Sequence, residues 1–286
     1  MNVKEYDLLK FKVKKLSGLS LNAYKSEQMM RRLDGYISRN EYAGVVGVCA
    51  AIERDGEALR QLMDFLTINV SEFFRDAEQF NVLKTKVIPD LLRKSKSLNI
   101  WSAGCSIGAE PYSVAMMLAE LSPNGKHRIL ATDLDDGSLA RARSGGPYSD
   151  THLDQVTPAI RLKNFVKSED GYTVAPRFRE MVDFKRHNLL NDPFEEGFDL
   201  IMCRNVTIYF TEETKRDLNK RFAKSLNNDG VLFIGSTESL LDAQGLGLRR
   251  MFASFFSKEG SIDSPEMALA GAKVRSPAES VRLAGR

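Results

Sequence analysis

The sequence predicts an α/β fold: a doubly wound, mostly parallel Rossmann-like sheet, preceded by a small all-helical N-terminal domain and interrupted by a small β-containing insertion. Three observations carry this reading. The stretch Leu98 to Ser113, LNIWSAGCSIGAEPYS, runs an apolar strand into a glycine turn and then a helix start. A second apolar segment, Arg128 to Thr132, ends on Asp133, placing a carboxylate at a strand tip, where such sheets hold ribose hydroxyls. From Asp76 onward helices and short apolar strands alternate, whereas residues 1 to about 70 carry helical periodicity only.

In the N-terminal part, Tyr6, Leu9, Phe11, Val13 and Leu16 mark one amphipathic helix and Tyr24 to Arg39 a second. Tyr42 to Ile52 and Glu57 to Thr67 give two more, with breaks at Gly18, Asn40 and Gly56. A helix Ala77 to Leu92 leads to the strand at Leu98. The helix Pro111 to Leu121, the strand at Arg128 and a helix Gly137 to Arg143 follow. Further strands are expected at Met181 to Lys185, Leu200 to Cys203 and Val231 to Ile234. Residues 145 to 180 break the rhythm: turn residues, a helical stretch near Thr157 to Phe165 and a short strand at Tyr172 to Ala175 suggest a helix plus a hairpin. From Ser257 the chain is Ser, Ala, Gly and charge, so residues 258–286 are expected to form a disordered tail. The expected division is a helical domain and linker over 1–75, the sheet domain over 76–257 with its insertion at 145–180, and the tail.

The 286 residues hold 41 Lys and Arg against 38 Asp and Glu, a net charge of +3, which argues against nucleic acid as the main partner. Cys49, Cys105 and Cys203 lie far apart with no C-x-x-C, so no disulfide framework and no metal site are expected, and the expected compartment is the cytoplasm. The N-terminus alternates charge with apolar residues and lacks the apolar core of a signal peptide. No run approaches the ~20 apolar residues of a membrane span, so no direct membrane insertion is expected.

The spacing Gly104-x-x-x-Gly108 departs from the G-x-G-x-x-G dinucleotide pattern, and Glu110 stands where a pyrophosphate would lie. A carboxylate there repels phosphate but tolerates a cationic ligand bearing an amino group. S-adenosylmethionine therefore fits better than NAD. Two glycines after a strand also fit a plain tight βα turn, and the glycines alone leave both readings open.

His127, His152 and His187 are the only histidines. The first two read as solvated and the third as packed. No serine or cysteine is paired with a base, so covalent or general-base catalysis is not expected. Methyl transfer from a sulfonium to a carboxylate needs neither, because a glutamate is already ionised near neutrality. It needs an aligned carboxylate, charge to hold it and exclusion of water, and the planar fork of an arginine supplies the charge. Arg75, at the domain junction, and Arg204, just after the strand ending at Cys203, stand in suggestive places. Plainer readings exist: Asn69 and Ser71 as helix caps, Phe73 and Phe74 as core, Arg75 as a surface charge, Tyr209 as a packed ring. Transfer to an exocyclic base amine would call for an Asn/Asp-Pro-Pro-Tyr/Phe loop. At that place the chain has Asn205-Val206-Thr207-Ile208-Tyr209, with no proline.

In combination the motifs become specific. NVSEFFR at Asn69 to Arg75, WSAGCS-x-G-x-EPYS from Trp101 to Ser113, ATD at Ala131 to Asp133, NLL at Asn188 to Leu190, CRNV-x-IYF from Cys203 to Phe210 and GSTE at Gly235 to Glu238 occur in this order. The sequence resembles the chemotaxis receptor methyltransferase family, CheR, over residues 1 to about 257. The resemblance implies transfer of methyl groups from S-adenosylmethionine to glutamates of the cytoplasmic helical bundle of methyl-accepting chemotaxis receptors, with S-adenosylhomocysteine as product. It implies that Asn69, Ser71 and Arg75 line the methionine end of the cofactor, with Arg75 also near the reacting centre. The resemblance also puts Gly104 and Glu110 in the cofactor site, Glu110 at the amino group or methionine part, with Asp133 at the ribose and Asn188 and Leu189 at the adenine. Arg204, Asn205 and Tyr209 complete the wall on the substrate side, and Arg75, Arg204 and Tyr209 are the implied catalytic set. Ser71 stands where threonine is common in the family, and Ala109 replaces a frequent acid beside Glu110.

Residues 1 to 39 hold nine Lys and Arg against four acids. A basic helix can simply solvate one face; the functional reading is that Lys14, Lys15, Lys25, Arg31 and Arg32 dock on acidic receptor helices. Some family members use a longer Gly-rich loop in the insertion to capture a peptide at the receptor C-terminus by strand addition. Here Val166 to Gly171 is short and Pro176 is expected to interrupt an edge, which implies independence of a C-terminal pentapeptide. Two other functions are compatible with the fold: a non-catalytic regulator sensing S-adenosylmethionine, and a methyltransferase acting on RNA or a small molecule.

Overall fold

The computed structural model describes residues 1–67, 71–240 and 242–258. Asn69 and residues 259–286 therefore lie outside the described residues. The chain begins with four helices, α1 (Val3–Ser17), α2 (Ser26–Arg39), α3 (Gly44–Arg54) and α4 (Gly56–Thr67). Helix α1 is set by a reciprocal cap: the Asn2 side chain accepts the Glu5 N–H at 3.0 Å, and the Glu5 carboxylate accepts the Asn2 N–H at 2.7 Å. Its apolar stripe, Tyr6, Leu9 and Val13, shares a core with Met29, Leu33 and Tyr36 of α2 and Val45, Val48 and Ile52 of α3. The break before α4 falls at Asp55, whose carboxylate accepts the Glu57 N–H, so Gly56 starts the helix instead of ending one.

Helices α5 (Ala77–Val82) and α6 (Ile88–Lys94) run into each other through a π-helical turn at Leu83–Val87, making the single helix expected from Ala77 two residues longer than Leu92. They lead into strand β1 (Asn99–Ala103). Then follow α7 (Ala109–Leu121), β2 (Arg128–Asp133), α8 (Asp136–Ser144), α9 (Pro158–Asn164), the hairpin β3 (Phe165–Ser168) and β4 (Gly171–Val174), and α10 (Pro176–Arg179). The chain continues through β5 (Val182–Arg186), β6 (Phe198–Cys203), α11 (Glu212–Ser225), β7 (Leu226–Ile234), β8 (Leu248–Phe252) and β9 (Phe255–Lys258).

The main sheet has the order β5-β2-β1-β6-β7-β9-β8. Its first five strands are parallel, and β9 pairs antiparallel with both β7 and β8. Both faces are buried, so the alternation of side chains sorts them between two cores. Ile100, Ile129, Leu200, Met202, Val231 and Phe233 face the core that holds α5 to α7. Trp101, Ala103, Leu130, Ile201, Leu232 and Ile234 face the other, which holds α11 and continues into the core of the N-terminal helices. The helical domain thus rests on one face of the sheet through continuous apolar packing. Strands β8 and β9 were not expected, and Lys258, assigned to the tail, is part of β9.

The insertion is the helix-plus-hairpin expected. The outer edge of β4 is closed by Tyr148, which exchanges backbone hydrogen bonds with Tyr172 at 2.7 and 2.8 Å, and by the Gly145 carbonyl, which accepts the Val174 N–H at 2.8 Å. Pro176 does not interrupt an edge: it occupies the first turn of α10, and the edge left open by these pairings belongs to β3. Phe73 packs edge-on against Tyr148 at 4.9 Å and Phe165 at 4.8 Å, and its N–H donates to the His152 carbonyl at 2.9 Å. The insertion therefore buttresses the segment that carries Arg75.

Candidate active site

Strands β1 and β6 are neighbours, but the chain leaves β1 toward β2 and leaves β6 toward β7, on opposite sides. Their carboxyl ends consequently diverge into a crevice, the place where open α/β sheets bind ligands. A cleft of about 250 Å³ opens there, walled on one side by Leu19, Tyr24 and Leu66 of the helical domain. Ser71, Arg75, Gly104, Glu110, Asp133, Asn188, Leu189, Arg204, Asn205 and Tyr209 all line it. Within the described residues, the residues named from the sequence for catalysis or cofactor binding meet at this one cleft, whereas Lys14, Lys15, Lys25, Arg31 and Arg32 lie outside its lining.

Backbone strain is concentrated around this cleft. Among the described residues six non-glycine residues have positive φ: two of them line it, Ser106 at 47° and Asn205 at 59°, and two flank the lining residue Arg75, Phe74 at 55° and Asp76 at 60°. Each such conformation costs roughly 1–2 kcal/mol for an L-residue, and each is held by a specific hydrogen bond. The Phe74 N–H donates to the fully buried Ser113 hydroxyl at 3.0 Å. The Ser106 N–H donates to Asp133 at 2.7 Å and the Asn205 N–H to Glu238 at 2.9 Å. The Asp76 carboxylate accepts from Arg204 at 2.7 Å. The Asp76 side chain makes no capping bond to α5 and is engaged by Arg204 instead.

Asp133 ends β2 with each carboxylate oxygen accepting one backbone N–H, from Ser106 and from Asp135 at 3.0 Å. A carboxylate has about four acceptor positions, so capacity remains for hydroxyl donors. Burial pushes its pKa above the ordinary carboxylate value, against the pull of the backbone N–H groups. Glu110 lies in the first turn of α7, one oxygen accepting the Ser102 hydroxyl at 2.8 Å and the other facing Arg204 at 3.2 Å. Arg204 lines the cleft beside Asn205 and is buried. Its side chain is only 2% exposed, its fork is divided between Glu110, Asp76 and the Arg75 carbonyl, and its plane lies over Phe233 at 4.6 Å. It joins the cleft's elements to one another.

At the far end, the Asn188 side chain accepts the Leu190 N–H and the Asp192 carboxylate accepts the Asn188 N–H, folding the loop after β5 back on itself. Arg221 of α11, unread in the sequence, clamps that loop by donating to the Leu189 carbonyl at 2.5 Å and to the Asp192 carbonyl. His187 packs against Trp101 and Phe194, as expected. His127 and His152 are half-buried and accept the Leu98 and Ser149 N–H groups, which corrects their assignment as solvated.

The Tyr209 segment is tied to the helical domain. The Lys25 N–H donates to the Tyr209 carbonyl at 2.9 Å, the Thr211 N–H to the Ala23 carbonyl at 2.8 Å, and the rings of Tyr24 and Phe210 meet edge-on at 4.9 Å. Arg32, expected on the docking surface, belongs to this seam. It donates to the Phe65 carbonyl at 2.5 Å and lies over the Tyr209 ring at 5.2 Å, and burial pulls its pKa below the ordinary arginine value. Lys14, Lys15, Lys25 and Arg31 are exposed.

Three acids border the cleft, Glu72, Glu110 and Asp133, which suits a cationic, phosphate-free nucleoside ligand. Burial pushes the Cys105 and Cys203 thiols well up, so neither supplies a thiolate. Among the described residues no group of three or more His, Cys, Asp or Glu could hold a metal ion, and no helix is long and apolar enough to cross a membrane.

Residues 69–251 match the family described as CheR methyltransferase, SAM binding domain, and residues 4–67 match CheR methyltransferase, all-alpha domain. The chain is 40% identical over 247 residues to a chemotaxis protein methyltransferase of Listeria monocytogenes, covering 86% of this chain and 94% of that protein. It is 32% identical to chemotaxis protein methyltransferase 1 of Pseudomonas aeruginosa, over 82% of this chain and 90% of that one, and 32% identical to the chemotaxis protein methyltransferase of Escherichia coli, over 74% of each. The chain belongs to the CheR family of S-adenosylmethionine-dependent chemotaxis methyltransferases.

Proposed function

We propose that the chain methylates glutamate side chains on the cytoplasmic helical bundle of methyl-accepting chemotaxis receptors, yielding glutamyl methyl esters. The observation that carries this is a cleft with half-buried acids for a cationic cofactor and an arginine on its wall and, among the described residues, no thiolate or base-activated nucleophile. When bound, S-adenosylmethionine supplies an electrophilic methyl carbon. Asp133 accepts from the ribose hydroxyls, Asn188 and Leu189 wall the adenine, and Glu110 receives the amino group. Asn69, Ser71 and Arg75 hold the methionine end. The Arg75 guanidinium then draws in the substrate carboxylate, and Tyr209 and Asn205 close the wall against water, so alignment and charge do the work that a general base does elsewhere.

The site works in the cytoplasm, at receptor arrays, with Lys14, Lys15, Lys25 and Arg31 steering the acidic helices. Recruitment is independent of a receptor C-terminal pentapeptide, a reading supported by the tight Glu169-Asp170 turn between β3 and β4. Incubation with methyl-labelled cofactor and a receptor cytoplasmic fragment, followed by mild alkali, tests the reading: labelled methanol is expected. Arg75→Ala and Tyr209→Phe are expected to lower turnover more than fragment binding. Label that resists alkali would place the methyl group on nitrogen and refute the proposal.

A further inference from the structure

We infer that Glu238 is a positioning residue that fixes the wall of the active site carrying Asn205 and Tyr209. This rests on the roles proposed above for those two residues. Its carboxylate is half-buried beyond the end of β7 and makes four hydrogen bonds, two per oxygen. One oxygen accepts the Asn205 N–H at 2.9 Å and the Gly235 N–H at 2.8 Å; the other accepts the Thr207 N–H and the Thr207 hydroxyl, both at 2.8 Å. Three of the four donors belong to the turn after β6, the turn in which Asn205 holds its positive φ.

The space around this carboxylate is cut to fit. A Cβ at Gly235 would come within 2.6 Å of the Glu238 oxygen and 3.0 Å of the Asn205 nitrogen, so glycine is what lets the two meet. On the opposite side the same turn presses Val206 onto Gly104, where a Cβ would fall 2.5 Å from a Val206 methyl. The turn is thus held from the β7 side by Glu238 and seated on the cofactor turn after β1. Glu238 itself does not line the cleft and acts through Asn205 and Tyr209.

A carboxylate is acceptor-only, whereas an amide carries two donors on one arm. Glu238→Gln therefore opposes donors to donors in either orientation while keeping the shape of the side chain, and Thr207→Val removes a single bond from one oxygen. Calorimetric affinity for S-adenosylhomocysteine, kcat and KM with a receptor fragment, and melting temperature would be measured for both. The control is Leu91→Ala, a buried change in α6 away from the cleft. Glu238→Gln is expected to weaken product affinity and lower kcat by about tenfold or more, the scale of stranding half-buried donors, with a smaller change in KM. Thr207→Val should fall between, and Leu91→Ala should lose melting temperature without moving either quantity. Wild-type product affinity in folded Glu238→Gln would overturn the inference. If the wild-type protein failed to methylate the fragment, the proposed substrate would fall, while the product affinities would still decide the role of Glu238.

Discussion

Arg204 reaches Glu110 at 3.2 Å and Asp76 at 2.7 Å from a side chain 2% exposed, so one buried cation joins the first turn of α7 to the start of α5. Removing it strands two carboxylates in a low-dielectric wall. Arg204→Ala should cost about 3–5 kcal/mol of stability and abolish binding of S-adenosylhomocysteine. Arg204→Lys should recover little, since a point charge cannot serve three acceptors with one planar fork. Chemical denaturation and calorimetry on both variants check this; a wild-type unfolding midpoint for Arg204→Ala would contradict it.

Asp133 should make cofactor affinity fall on acidification. Burial raises its pKa above the ordinary carboxylate value, so the native apo protein binds this proton more tightly than the unfolded chain. The ionised form is a net cost to apo stability at neutral pH, and acidification through the raised value removes that cost. On the role proposed for Asp133 at the ribose, ligand binding moves the other way, because hydroxyl donors need the charged acceptor. Titrating S-adenosylhomocysteine from neutral to mildly acidic pH should show affinity declining before the usual carboxylate range. In Asp133→Ala it should be weaker by about 1–3 kcal/mol at neutrality and flatter with pH.

Gly104→Ala meets two obstacles, the methyl of Val206 at 2.5 Å and a φ of 84°. Pairing it with Val206→Ala relieves the first and leaves the second, worth about 1–2 kcal/mol. A double-mutant cycle on product affinity should therefore show partial recovery. Full additivity would mean that the contact carries no energy.

The basic residues of the helical domain should divide into two classes. Lys25→Glu and Arg31→Glu are expected to slow methylation of a receptor fragment in a salt-sensitive way with no loss of stability. Arg32→Glu should destabilise the protein, because it places an acid against the Phe65 carbonyl. A receptor C-terminal pentapeptide should show no saturable binding, and micromolar binding at the β3 edge would refute independence from it.

Much of this was legible in the sequence because periodicity and turn chemistry are local. The strand-glycine-helix run at Leu98 to Ser113 and the acid closing β2 located the fold and part of the cleft's lining. What escaped was non-local. Arg32 and Lys25 read alike as surface cations, and only the packing of α2 on the Tyr209 segment separates them. Glu238 was visible within the GSTE motif without a role, since its partners lie some thirty residues earlier. Strands β8 and β9 escaped because each is short and one abuts the Ser- and Ala-rich tail, so no window long enough to show alternation remains.

The backbone pairing of Ala23 and Lys25 with Thr211 and Tyr209 bears on how spent cofactor leaves. A swing of the helical domain away from the sheet would break both hydrogen bonds and separate the buried rings of Tyr24 and Phe210. Release of S-adenosylhomocysteine by such a swing would have to break these contacts first, and hinge opening of that kind belongs to the microsecond-to-millisecond range. The seam between the Ala23–Lys25 and Tyr209–Thr211 segments is thus a latch that any domain-opening route to cofactor exchange must undo.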